Sequence, residues 1–336
     1  MRCDFTFVFL HILAGPSVVD VIYPDLMRAI LAEHLEGHVD MQAVSRTCRG
    51  MHAITSSVEL EAAWLWRWRG DHALFHRRSR SSLAVMRLLV QVHHVDAASA
   101  RSPDGASILH LTCMDDYTEA VEYLFTQPNI DVNLAIMDSH TPLHFACLSG
   151  GIRATHQLLA QPHIDVNAVN SRGNTGLFVA CAERHADAVG ALLAHPNVDV
   201  NIVNGDGASP LVSAICNGFA DIVALLCMHP ATRVNEITAE SGISPLILAL
   251  VVPSHDIRVV RELLLHPGIQ VNAALAIACR FGNLPVILEL LAHPGLGEGV
   301  IRAAVVEAEL PGHHADVLAL LRGHRAVRRA LRALRG

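Results

Sequence analysis

The stretch LLAQPHIDVNAVNSRGNT, residues 158–175, contains the markers of a unit that recurs along the chain. Within it, Leu158 lies four residues before Pro162, and Asn167 lies five residues after that proline. Prolines recur at 128, 162, 196 and 230 with a spacing of 34 residues, and two more follow at 267 and 294. Each has a Leu four residues before it, and each of the first five is followed by a Val-Asn pair. A fixed period of this length indicates a repeat architecture.

A second set of markers predicts where helices begin. Hydroxyl residues recur at 107, 141, 175, 209 and 244, in step with the prolines. Ser and Thr are good N-caps because the hydroxyl accepts an amide of the first helical turn. Proline follows at 142, 210 and 245, a position where its missing amide costs nothing. Each unit is therefore predicted to contain a turn, a capped helix, a second turn and a second helix ending at Leu-Leu.

Stacking lets such helices bury the apolar sides that neither can bury alone, so residues 100–322 are predicted to form a solenoid. About five units are clear. The unit after Asn272 is shortened, because three residues separate Asn272 from Leu275 whereas ten separate Asn133 from Leu143. Its hairpin is predicted to be missing. Residues 300–321 are typical of a degenerate last unit, and residues 82–99 of a half-repeat that caps the front.

The units resemble ankyrin repeats. Residues Thr141 to Ala146 read TPLHFA, a close match to the family pattern T-P-L-H-x-A, and residues 107–110, 209–211 and 244–246 match it in part. The resemblance implies an all-α solenoid of helix-turn-helix units with short β-hairpin tips, and it implies that the stack binds another protein.

Residues 18–69 do not follow the 34-residue register. Their apolar spacing of three and four residues predicts two or three helices. The stretch resembles an F-box, since Asp40 and Cys48 have the family spacing, and further matching residues occur in the family order: Pro24, Leu31, Leu35, Met41, Arg49 and Trp64. A generic three-helix domain is the alternative interpretation.

The F-box resemblance implies docking onto the Skp-type adaptor of a cullin–RING ubiquitin ligase. A helix-face contact of this kind buries apolar side chains. The residues that the resemblance assigns to the adaptor are Pro24, Leu26, Leu31, Leu35, Met41 and Cys48.

The ankyrin resemblance implies target contacts at the hairpin tips and the adjoining ends of the inner helices. By register, the tip candidates are Met137, Asp138, His140, Asn170, Arg172, Asn174, Asn204, Asp206 and Glu240. The candidates on the inner helices are Leu148, Glu183, Arg184, Asn217 and Phe281.

Three segments remain outside these two regions. Residues 1–17 include an apolar run at 5–14 that is either a secretory signal or an N-terminus that docks or stays disordered. Residues 70–99 are predicted to hold a basic linker and the capping half-repeat. Residues 323–336 form an Arg-rich tail, for which a cap on the last repeat is favoured over a role in nucleic-acid binding, membrane binding or nuclear import.

Composition narrows the function classes. The net charge of −7 gives no general attraction to nucleic acid or anionic lipid, and no apolar run reaches the roughly 18 residues that a membrane helix needs. Eight Cys without a C-x-x-C pair indicate a reducing compartment, the cytoplasm or nucleus. The repeats account for many of the 22 His. No metal-site, cofactor or catalytic motif is present, so the chain is predicted not to be an enzyme.

Two functional hypotheses follow. The leading one is a substrate receptor of a cullin–RING ligase, with the F-box-like region on the adaptor and the repeats on a target protein. The alternative is an ankyrin scaffold without a link to ubiquitin. All 25 basic residues are Arg. A receptor without Lys offers no side-chain amine for its own modification, although genomic base composition explains this more simply.

Overall fold

A computed structural model of the protein describes residues 74–75, 82–102, 105–136, 138–237, 242–252, 256–308 and 315–333. The F-box-like residues, with the adaptor positions assigned to them, lie outside this part of the chain. Met137 and Glu240, two of the predicted target contacts, also lie outside it. The chain divides into two compact units, one ending at Met137 and the other beginning at Asp138.

The described part of the first unit contains three helices, α1 (Leu83–Gln91), α2 (Ile108–Met114) and α3 (Thr118–Phe125). α3 packs against both α1 and α2. The phenol oxygen of Tyr117 accepts the amide of Leu83 at 2.9 Å, which joins the start of α1 to the start of α3. The apolar faces of these helices are buried in a core that includes Met86, Leu89 and Leu124.

The second unit repeats one helical pair. In chain order its described helices are α4 (Pro142–Ser149), α5 (Ile152–Leu159), α6 (Gly176–Ala182), α7 (Ala186–Leu193), α8 (Pro210–Cys216), α9 (Ala220–Met228), α10 (Pro245–Val251), α11 (Ile257–Leu265), α12 (Asn272–Phe281), α13 (Leu284–Ala292), α14 (Glu298–Ala308) and α15 (Ala315–Ala333). From α4 to α14 each even-numbered helix packs against the next, and from α5 to α15 each odd-numbered helix does the same. The stack therefore has two helical layers, as the repeat predicts.

The predicted N-caps lie directly before their helices, but their hydroxyls act in different ways, and the side chain of Ser244 makes no cap hydrogen bond. The side chains of Thr175 and Ser209 accept the amides of Phe178 at 3.1 Å and Val212 at 3.3 Å. The hydroxyl of Thr141 instead lies 2.8 Å from Nδ1 of His144. The hydroxyl of Ser107 likewise lies 2.7 Å from Nδ1 of His110, so at both positions where the third helical residue is His, the hydroxyl contacts the ring.

Asn side chains join one repeat to the next. The Asn167 side chain donates to the carbonyl oxygen of Asn197 at 2.7 Å and accepts the amide of Asp199 at 2.8 Å. The side chains of Asn201 and Asn235 make the same pair of bonds, to residues 231 and 233 and to residues 268 and 270. The Asn of the sequence repeat thus fixes the spacing between turns, a role that the sequence did not predict.

Hairpin turns precede α4, α6 and α8, and we call the described residues 138–140, 169–174 and 203–208 the fingers. In the second finger Asn170 and Asn174 are joined by a backbone bond of 3.0 Å, and Val169 forms a single antiparallel bridge with Thr175. Over the described residues the predicted hairpin tips are turns without extended strands. α12 begins at Asn272 itself, so no finger precedes it.

Adjacent fingers are hydrogen-bonded tip to tip. The amide of Ser171 donates to the carbonyl oxygen of Asp138, and the amide of Gly205 donates to that of Arg172, each at 2.8 Å. Both bonds hold neighbouring tips in register.

The part of the chain that the structure describes has no helix with the length and apolar character required to cross a bilayer.

Candidate functional site

A groove of about 400 Å³ lies between the first two fingers and the ends of α4 and α6. Its polar lining residues are Asp138, His140, Asn170, Arg172, Asn174 and Glu183. Its remaining lining residues are His144, Leu148, Phe178, Val179 and Ala182. The groove thus combines an apolar surface from the helices with charged and amide groups from the fingers and from the end of α6.

His144 fixes the second finger to α4. The backbone amide of Thr141 donates to Nδ1 of His144 at 3.2 Å, so that nitrogen is an acceptor and Nε2 carries the proton. Nε2 lies 2.9 Å from the carbonyl oxygen of Asn174, to which it donates. Burial lowers the pKa of His144, although the bond to Asn174 opposes the shift. The ring is therefore neutral at pH 7 and serves as a structural strut behind the groove.

Asn170 organises the tip from inside. Its side-chain oxygen accepts the amides of Arg172 and Asn174, each at 3.0 Å, and its amide donates to Nε2 of His140 at 3.1 Å. Asn204 repeats the first part of this arrangement in the next finger, where it accepts the amides of Asp206 and Ala208. These two side chains hold the shape of their fingers, because their acceptor oxygens are already used within the chain.

The groove brings together seven of the residues predicted to contact a target: Asp138, His140, Leu148, Asn170, Arg172, Asn174 and Glu183. Five other predicted residues do not line it: Arg184, Asn204, Asp206, Asn217 and Phe281. Arg184 pairs with Asp221 at 3.3 Å and lies over the ring of Phe219. Its guanidinium is thus occupied by contacts outside the groove.

The sequence did not single out His144, Phe178, Val179 or Ala182 as lining residues. Phe178 follows Thr175 by three residues, as His144 follows Thr141, so both occupy one position of the repeat. The register therefore shows that α4 and α6 have an aromatic ring at the same position, although it does not show that these rings line a groove.

Charges in the groove are left without partners. Among the residues that the structure describes, no ion pair includes Asp138, Arg172 or Glu183. The side-chain oxygen of Asn174 is buried and has no hydrogen-bond partner. A surface with unpaired charges and an unused acceptor can gain contacts when a partner arrives.

Comparison with known proteins agrees with this architecture. The family model described as ankyrin repeats (3 copies) matches residues 75–170 and 143–238. Residues 75–238 are ankyrin repeats. The matched ranges include every residue that lines the groove, and they do not extend into the F-box-like region.

Two solved structures show the same fold. An ankyrin repeat domain from Acinetobacter baumannii AYE is 22% identical, covers 55% of this chain and 96% of its own, and has a TM-score of 0.50. The ankyrin repeat domain of Bcl-3, titled a unique member of the IkappaB protein family, is 25% identical, covers 65% of this chain and 99% of its own, and has a TM-score of 0.55. No curated protein matches the chain.

Proposed function

We propose that this protein is a non-catalytic receptor that holds a target protein in the groove between its first two fingers. Ankyrin repeats indicate a protein–protein interaction module. The observation that supports this particular surface is the groove itself, where unpaired charged groups surround an apolar area. Interfaces combine these features, since apolar burial supplies affinity and charge complementarity supplies specificity and association rate.

The target test uses two matched substitutions in the full chain. Leu148 lines the groove and is 46% exposed, whereas Met228 on α9 is 80% exposed and lies outside it. Leu148→Arg places a charge in the groove, and Met228→Arg places one elsewhere on a helix of the same unit. Proteins bound by the wild type are compared with those bound by each variant by quantitative mass spectrometry. The proposal expects a set that Leu148→Arg loses and Met228→Arg keeps, and equal retention by both variants would reject it.

The finer proposal is that residues 18–69 deliver this target to a cullin–RING ligase through a Skp-type adaptor. Its support is the sequence resemblance to an F-box, in which Asp40 and Cys48 keep the family spacing. The chain then performs no chemistry and acts by raising the effective concentration of the target near the ligase. A scaffold without the adaptor contact is the alternative.

Binding of purified Skp-type adaptor to the full chain tests the ligase connection. The double substitution Leu31→Asp and Leu35→Asp should abolish binding while circular dichroism shows that the helices remain. A folded wild-type chain that does not bind the adaptor would remove the ligase connection and leave the scaffold. The target test is independent of this result because the groove residues lie outside residues 18–69.

A further inference from the structure

The groove contains two carboxylates that have no counter-ion. Asp138 lies at the first finger tip and Glu183 caps the end of α6, and both are exposed. No basic nitrogen of the described residues lies within 4.0 Å of either carboxylate, although Arg172 lines the same groove. The two carboxylates can therefore accept hydrogen bonds from a cation supplied by a partner.

A third acceptor is already buried in the groove lining. The side-chain oxygen of Asn174 has no donor, although the backbone of the same residue is fully used by Asn170 and His144. A buried acceptor without a donor costs free energy. His144 and Asn170 fix the backbone of Asn174, and a donor that reached the side-chain oxygen would remove this cost.

An aromatic and aliphatic surface lies beside these acceptors. Phe178 and Leu148 line the groove together with Ala182, and Leu148 is 46% exposed. A long basic side chain can lay its methylene groups along such a surface while its head remains polar. A guanidinium also stacks favourably on the face of an aromatic ring.

We propose that the groove takes an arginine side chain of the target, an inference that rests on the proposed function. A guanidinium is planar, has five donors and has no acceptor, so it suits a site that offers carboxylate and amide oxygens beside a ring. Arginine is favoured over lysine because its planar group bonds several acceptors and stacks at the same time. The groove, at about 400 Å³, is large enough to admit an arginine side chain.

Arg172 should weaken the binding of an arginine side chain in the groove. It lines the groove as a cation without an ion-pair partner among the described residues, so it repels an incoming guanidinium. Arg172→Gln should therefore strengthen binding of an arginine peptide. A groove that recognises an acidic residue would respond in the opposite way.

The experiment is a selection of short random peptides displayed on phage against the immobilised full chain. Parallel selections use the double variant Asp138→Asn, Glu183→Gln and the control Asp206→Asn. Asp206 is an exposed carboxylate on the next finger and does not line the groove. The wild type and the control should enrich peptides with Arg at one fixed position, and the double variant should lose that preference.

A selected peptide is then synthesised with arginine and with citrulline, which keeps the shape and loses the charge. Fluorescence anisotropy should show that citrulline weakens binding by about tenfold or more, as expected for loss of charge-assisted hydrogen bonds. Arg172→Gln should tighten the arginine peptide and leave the citrulline peptide unchanged.

Failure of the arginine inference can be distinguished from failure of the proposed function. Peptides that compete for the groove without a basic residue, or an arginine preference that survives in the double variant, would overturn this inference and leave the proposed function intact. Enrichment of acidic peptides that Arg172→Gln abolishes would also overturn it. A folded chain that selects no groove-binding peptide, and whose bound proteins are insensitive to Leu148→Arg, would count against both proposals.

Discussion

The side-chain amide of Asn201 donates to the carbonyl oxygen of Ala231 at 2.8 Å, across the boundary between two repeats. The side-chain oxygen of the same Asn accepts the amide of Arg233 at 2.9 Å. One side chain thus satisfies a carbonyl and an amide of the next turn. Because Asn167 and Asn235 do the same, the stack is held by side-chain bonds at one edge in addition to its apolar core.

Replacing Asn201 with Ala should therefore destabilise the fold by about 1–3 kcal/mol, the usual net contribution of two hydrogen bonds. Urea unfolding followed by circular dichroism measures the change. Asn217→Ala is the matched control, because that side chain donates only within its own helix, to Ser213. Equal losses in the two variants would show that the inter-repeat bonds add no stability of their own.

Gly173 lies where two fingers meet. Its φ is +77°, and a Cβ atom there would lie 2.8 Å from the backbone nitrogen of Gly205. Gly173→Ala should therefore cost the roughly 1–2 kcal/mol of a left-handed Ala and a further amount for displacing the next finger. Gly242 also has a positive φ, of +65°, but has open space around it. Gly242→Ala should show only the first cost, and a difference near zero between the two variants would exclude the tip-to-tip contact in solution.

The sequence predicted the helices well because their starts and ends are encoded locally. The spacing from Leu158 to Pro162 predicts where one helix ends, and the spacing from Gly173 to Thr175 predicts where the next begins. The groove was predicted only in part. Phe178 lines it because a finger folds over the helix, and a contact of this kind depends on tertiary geometry that local spacing does not state.

The His residues that precede repeat prolines also make bonds that the sequence did not predict. The sequence places His195, His229, His266 and His293 before repeat prolines and predicts a structural role for them, but it does not predict which bonds they make. In the structure Nδ1 of each ring accepts the backbone amide two residues later, at 3.1–3.4 Å. Proline has no amide, so the next available donor is the one after it. The rings thus close the turns that follow α7, α9, α11 and α13.

His266→Ala should remove this acceptor and cost about 0.5–1 kcal/mol, the net value of one exposed hydrogen bond. His266→Asn is the matched variant, because an Asn side chain can accept the amide two residues on. Thermal and urea unfolding of both variants provide the measurement. If the ring acts as a turn acceptor, His266→Asn should recover most of the stability that His266→Ala loses, and equal losses in the two variants would point to packing instead.

His144 makes stability depend on pH. Burial lowers its pKa in the folded chain below the ordinary value of 6.5, so below that pH the unfolded chain binds more protons than the folded one. The contribution of His144 is therefore fully present above about pH 6.5 and is lost as the pH falls toward the folded-state pKa. His144→Phe uses the residue found at the equivalent position, Phe178, and removes the titrating group.

The measurement is the free energy of unfolding in urea at pH 7.5 and at progressively lower pH, for the wild type and His144→Phe. As the pH falls from 7.5, the free energy of unfolding of the variant should decrease less than that of the wild type. The other His residues are present in both chains, so they do not account for this difference. Its stability at pH 7.5 should be lower, since the bonds to Thr141 and Asn174 are gone. Parallel curves would mean that the imidazole of His144 stays accessible to protons, which is incompatible with a buried ring that donates to the second finger.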